Sequence, residues 1–87
     1  MNELQLLVVD VNLLDNLYKS DRNNKSMTLE ELAFSVNKPY SDEIKARCEV
    51  LEKAELVWSN NDGFRTTFRL MPKGRLLIEM AHLRKLI

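Results

Sequence analysis

The stretch Leu56–Leu70, LVWSNNDGFRTTFRL, decides how this chain is read. Two short apolar runs flank Asn60-Asn61-Asp62-Gly63, and Asn, Asp and Gly tolerate the positive φ that tight hairpins require. The pattern predicts a β-hairpin. Both flanks read as helix, yet an isolated two-stranded hairpin is only marginally stable in water. This hairpin must therefore lean on the helices around it.

Downstream, MPKGRLLIEMAHLRKLI predicts a closing helix over 73–87, with Leu76, Met80, Leu83 and Ile87 recurring at i, i+4, i+7 and i+11 as its core stripe. Upstream, Ser41 suits the N-cap of a helix that runs to about Glu55, with Asp42 and Glu43 in the first turn complementing the helix dipole. Ile44, Cys48 and Leu51 define its buried face. Cys48 on that stripe reads as a small core residue rather than a reactive thiol. Before it, Thr28-Leu29-Glu30-Glu31 is a capping box that opens a short helix carrying Leu32, Ala33 and Val36. That helix is expected to end near Asn37, a residue suited to the left-handed C-terminal position, ahead of Pro39. Asp21–Ser26 reads as a polar loop.

The first helix is predicted over 3–19. Leu4, Leu7, Val8, Val11, Leu14 and Tyr18 form its expected core face, and Leu6, Val9, Leu13 and Leu17 form a second apolar row. Both terminal helices thus carry more apolar surface than one-sided packing needs. Two readings stay open: a helix wedged deep in its own domain, or a subunit interface built from Leu6, Val9, Leu13, Leu17, Ile78 and Leu86.

The 87 residues make one domain, 1–87, with a single modest core. Thirteen Lys plus Arg balance thirteen Asp plus Glu, so no global charge draws the chain to nucleic acid or anionic lipid. Any such attraction must be local. The lone cysteine excludes an internal disulfide, and Glu3 stands where a signal peptide would carry basic residues, so the expected compartment is the cytoplasm. The apolar run Leu6–Val9 is ended by Asp10, far short of the roughly 20 residues that span a bilayer, and no membrane association is expected. His82 is the only histidine, and the chain lacks a Ser/His/Asp set, a Cys-x-x-Cys pair or a phosphate-cradling glycine loop. No enzyme, metal or cofactor is expected.

The resulting order, helix, short capped helix, turn, capped helix, hairpin, helix, is mostly α with a small β-hairpin (α+β, α-α-α-β-β-α). It resembles the winged helix-turn-helix superfamily of small transcription regulators. LAFSV (32–36) is similar to the first helix of the motif, CEVLEKAELV (48–57) to the second helix and its exit into the wing, and FRLMPKGRLL (68–77) to the segment joining the wing to the last helix. The resemblance spans roughly residues 26 to 80. Glu55 departs from it, standing where many relatives have Gly. The resemblance implies a homodimeric, repressor-like regulator that binds double-stranded DNA, with the third helix in the major groove and the terminal helices as the seam. The implied DNA contacts are Lys25 and Ser26 before the second helix, Lys38 and Tyr40 in the turn, Ser41, Lys45, Ala46, Arg47 and Glu49 on the third helix, and Arg65, Thr67 and Arg69 on the second wing strand. Asp42 and Glu49 on the outward face of the third helix depart from a generic DNA-binding surface. The alternative is a winged-helix module that binds a protein partner rather than DNA. Trp58 reads as a cap on the core under the wing or as an exposed contact residue.

Overall fold

The computed structural model describes residues 5–37 and 41–85. Its elements are α1 (Val8–Arg22), β1 (Met27–Thr28), α2 (Leu29–Ser35), α3 (Ser41–Lys53), β2 (Val57–Asn61), β3 (Thr66–Leu70) and α4 (Pro72–Leu83). The hairpin is not alone. β1 joins it to give an antiparallel sheet in the order β1-β3-β2, with Met27 opposite Phe68 and Thr28 opposite Thr67. Two residues are too few for a periodicity signal, so the sequence reading places only a loop and an N-cap there. Their ladder bonds nonetheless cover the outer edge of β3 at the base of the wing, where Phe68 and Leu70 turn into the core.

The core gathers Leu13, Leu14 and Leu17 from α1, Leu32 and Ala33 from α2, Ile44, Cys48 and Leu51 from α3, and Leu56, Val57, Phe68, Leu70 and Ile78. The stripe expected on α3 is the stripe observed. Burial pushes the Cys48 thiol up to about 12, with Asp10, Glu52 and Glu49 adding to the effect, so the sulfur stays protonated and unreactive.

Both terminal helices are rotated relative to the sequence reading. α1 begins at Val8 rather than residue 3 and runs on to Arg22. Its inward residues are Asp10, Leu13, Leu14 and Leu17, so the expected core residues Leu7 and Val8 face outward. A carboxylate stands on the buried stripe, which otherwise joins Leu13 and Leu17 of the second apolar row to Leu14 of the expected core face. On α4 the inward residues are Gly74 and Ile78. Leu76, Met80 and Leu83, expected to be the core stripe, are exposed, Leu83 to 83%. The reason is Gly74: a Cβ there would stand 2.1 Å from the Leu56 carbonyl oxygen, so only glycine lets α4 lie against the backbone entering the wing. That contact fixes the rotation of the helix. Polar contacts hold α4 to α1: His82 Nε2 lies 2.7 Å from Asp15 Oδ1, the Tyr18 hydroxyl donates to Glu79 at 3.3 Å, and Arg75 pairs with Asp21.

Each helix ends on a non-glycine residue with positive φ: Asn24, Asn37, Glu55 and Lys85. After α3 the Leu56 N–H reaches the Leu51 carbonyl at 3.0 Å and the Glu55 N–H reaches Glu52 at 2.9 Å, which satisfies carbonyls the helix would leave open. Asn accepts this conformation readily, but Glu55 at φ 63 carries the Cβ strain that glycine avoids.

Gly74→Ala is expected to destabilise the protein by about 3 kcal/mol, because the clashing atom is backbone and α4 must shift. Glu55→Gly is expected to stabilise it by about 0.5–1 kcal/mol. Urea unfolding followed by circular dichroism measures both.

Candidate nucleic-acid interface

The interface is built from the wing upward. Strand alternation buries Val57, Phe68 and Leu70 at the wing root and leaves its outer half polar: Asn60, Asn61, then Thr66 and Thr67 across the ladder. The tip, Asp62–Arg65, is fixed by its own side chains. Asn61 Oδ1 accepts the Gly63 N–H at 2.8 Å, and Asp62 Oδ1 accepts the N–H groups of Phe64 (3.0 Å) and Arg65 (3.1 Å). Gly63 supplies the positive φ, 96°, that the bend requires. The Phe64 N–H, then that of Arg65, hold the Asp62 carboxyl below the usual carboxylate range, so the turn keeps its charged acceptor.

Beside the wing, the loop between α1 and β1 carries Asn24, Lys25 and Ser26. Its shape follows from the α1 terminus: the Lys25 N–H and the Ser20 hydroxyl bind back to Ser20 O and Lys25 O respectively. This brings Lys25 and Ser26 to Arg65 and Thr67 around a groove of about 370 Å³, which Asn24, Thr28 and Glu31 also line. Four of the twelve expected DNA contacts share this groove. Glu31 is turned into the α2 capping box, where its carboxylate accepts the Thr28 N–H at 2.8 Å and the Thr28 hydroxyl accepts the Glu31 N–H at 3.1 Å. The Thr28 N–H is the main cause that holds Glu31 below the usual range, with Arg65 and Lys25 contributing through their charge. The groove thus offers two cations, three hydroxyls and an amide, with one carboxylate already engaged.

α3 gives a different picture. Asp42, Glu43, Lys45, Ala46, Glu49, Glu52 and Lys53 are exposed along it. Arg47 is engaged within the fold. Its Nε and Nη2 donate to Asp10 Oδ1 and Oδ2 at 2.8 and 2.6 Å, and Asp10, 0% exposed, also accepts the Leu7 N–H at 2.8 Å. Accepting this fork, Asp10 raises the pKa of Arg47. Arg69 is likewise drawn inward. It donates to Asp21, which also pairs with Arg75, and to Asn24 at 3.3 Å. In the structure Arg47 and Arg69 thus brace carboxylates of α1. Leu13, Leu17 and Ile78, expected at a subunit interface, belong to the monomer core, because the rotations of α1 and α4 turn them inward. Leu6 and Val9 are half-buried against that core. Lys38, Tyr40 and Leu86 lie outside the described residues, as does the side chain of Ser41.

Two features escape the sequence reading. Phe64 at the wing tip is 99% exposed, and Phe34 on α2 is exposed as well. Trp58 is 42% exposed, paired across the ladder with Arg69 on the outer face of the wing rather than capping the core. Phe64 has a sequence signal, since it follows a tight-turn glycine and cannot reach a core from there. Among the described residues, no group of three or more His, Cys, Asp or Glu side chains could hold a metal ion, and no helix is long and apolar enough to cross a membrane.

The arrangement, a three-helix core whose second and third helices form a turn followed by a β-hairpin and a closing helix, recurs in solved structures. The chain has the winged helix-turn-helix fold. It superposes on MepR, a transcription regulator of the Staphylococcus aureus multidrug efflux pump MepA, with TM-score 0.77 and 18% identity over 87% of this chain and 55% of that one. The homodimeric winged helix-turn-helix DNA-binding domain Mb0332 of Mycobacterium bovis matches with TM-score 0.72 and 17% identity, covering 88% of this chain and 67% of that one. The adhesin competence repressor AdcR of Streptococcus pyogenes gives 0.71 and 16%, with 98% and 61% covered. The winged helix here thus spans little more than half of the MepR chain. No protein-family profile and no curated protein sequence matches the chain.

Arg47→Met, which strands the Asp10 carboxylate in the core, is expected to cost about 3 kcal/mol, whereas adding Asp10→Leu to it should restore most of the loss. Denaturant unfolding of the single and double variants makes the comparison.

Proposed function

We propose that this winged helix is a DNA-binding transcription regulator of repressor type that works as a homodimer in the cytoplasm. The observation that carries the reading is the groove joining Lys25, Ser26, Arg65 and Thr67 beside the wing. Cations and hydroxyls that converge in this way suit phosphate oxygens, which supply most of the affinity of such proteins and fix their register. Lys45 and Ala46 on α3, with the helix N-terminus at Ser41, would face the neighbouring major groove, and Glu49 there could accept only from a donor such as a cytosine amino group. The likeness to regulators of the same fold supports the class of activity. It names no operator. Nothing in the described residues favours catalysis, and the role needs no cofactor.

Dimer formation draws support from α4. Its stripe Leu76, Met80 and Leu83 is exposed together with Leu77, and Leu7 and Val8 are exposed at the start of α1. Between the helices runs an apolar groove of about 260 Å³, lined by Leu6, Val11, Leu14, Leu77, Met80 and Ala81 among others. A contiguous apolar surface of this kind favours a partner subunit. The interface is thus reassigned from Leu13, Leu17 and Ile78 to the outward rows, with Leu6 and Val9 at its margin.

A second reading, a protein-binding module, rests on the exposed face of α3, where four carboxylates outnumber two lysines and Arg47 is tied to Asp10. Fluorescence anisotropy on a mixed-sequence duplex separates the two. The expected result is micromolar binding that weakens steeply with salt, and Lys25→Glu with Arg65→Glu should reduce affinity about tenfold and flatten the log–log salt slope by about 2. Absence of binding at low salt would favour the protein-binding module. Light scattering should report twice the chain mass, and Met80→Glu with Leu83→Glu should give a folded monomer.

A further inference from the structure

Phe64 is the most exposed large apolar group on the wing. Burying a phenylalanine side chain is worth about 1.5–3 kcal/mol, and this chain forgoes that gain by presenting the ring to water at 99% exposure. The ring is also held there. Asp62 and Asn61 fix the backbone N–H groups of Gly63, Phe64 and Arg65, the Asp62 N–H returns to Arg65 O at 3.3 Å, and Gly63 sits at φ 96°. The tip is therefore a preorganised turn with an aromatic side chain at its apex.

Its surroundings indicate what it meets. Asn61, Asp62 and Arg65 are exposed around it, and Arg65 opens into the groove that also holds Lys25, Ser26 and Thr67. A docking site for an apolar protein surface would continue into a broad apolar patch, and here the shallow pocket at the ring sets Leu29 beside Glu30, Asn61, Arg65 and Thr66, a largely polar lining. The duplex minor groove, about 6 Å wide, admits side chains of a narrow hairpin and not a helix. It offers phosphates on both walls and the edges of stacked bases at its floor, whose faces open only when a step is unstacked.

We propose that Phe64 is a wedge that enters the minor groove and partly unstacks a base step, with Arg65 anchoring the adjacent phosphate. This rests on the DNA-binding reading above and adds to it a consequence for the DNA itself: the bound duplex is kinked toward the major groove at the wing contact. Pyrimidine–purine steps such as TA unstack most easily, so the wing would prefer them without reading any base edge.

The test uses a mixed-sequence duplex carrying 2-aminopurine, whose fluorescence is quenched by stacking, beside each of several TA steps. Saturating protein is expected to raise the fluorescence about threefold or more, and Phe64→Ala to abolish the rise at concentrations that anisotropy shows to saturate the same duplex. Phe64→Trp should retain the rise. The exposed position means that none of these variants threatens folding. Binding with no fluorescence rise, or a rise that survives Phe64→Ala, overturns the wedge and leaves the DNA-binding reading standing. No binding of the parent protein at low salt overturns both.

Discussion

The bidentate pair between Asp10 and Arg47 sets the frame on which the other elements are placed. Asp10 caps the start of α1 through the Leu7 N–H and receives the Arg47 fork from the middle of α3. A buried ion pair adds little net stability over a well-packed apolar pair, since desolvation offsets most of the attraction. Its effect is geometric. With Asp10 turned inward, Leu13, Leu14 and Leu17 follow at i+3, i+4 and i+7 into the core, and α1 lies against α2, α4 and β3. The remaining apolar residues, Leu7 and Val8 among them, are left facing out. One carboxylate thus decides which apolar row of the first helix folds the domain and which stays open.

The same pair marks the limit of what the sequence discloses. The wing is legible because Asn-Asn-Asp-Gly has few conformations and each favours a tight turn. The α2 start is legible because a Thr with Glu three residues on makes reciprocal bonds, and the structure contains both. The inward face of α3 is legible because Ile44, Cys48 and Leu51 form its one full apolar row, with only Ala46 and Val50 apolar elsewhere on the helix. On α1 and α4 such competitors exist, and pattern alone cannot rank them. The deciding residues are Asp10, which pairs with a residue 37 positions away, and Gly74, which meets the Leu56 backbone. Both are contacts across the fold, invisible to local spacing. β1 escapes for a similar reason: two residues become a strand only because β3 lies beside them.

For the candidate site, residue type proves a weaker guide than position. Four arginines and lysines read alike in sequence, yet Arg47 and Arg69 brace carboxylates while Lys25 and Arg65 line an open groove. Asp21 collects Arg69 from the wing and Arg75 from α4, so it ties the end of α1 to both. The acidic outer face of α3 was visible in the sequence and persists in the fold. Cationic groups therefore concentrate beside the wing rather than along the helix that the fold would offer to a major groove.

The approach of Gly74 to Leu56 has a mechanical side. The Leu56 carbonyl accepts the Met71 N–H at 2.9 Å and lies directly beneath the first turns of α4, backbone against backbone with no side chain between them to yield. The closing helix and the base of the hairpin therefore form one rigid arm with its fulcrum at that carbonyl. In a two-fold pair joined through α4, a few degrees of change in the crossing of the two helices would sweep both wing tips together, as the jaws of a calliper move with its hinge. In such a pair the span between tips would be set at the subunit seam, at the opposite end of the arm from the tips themselves.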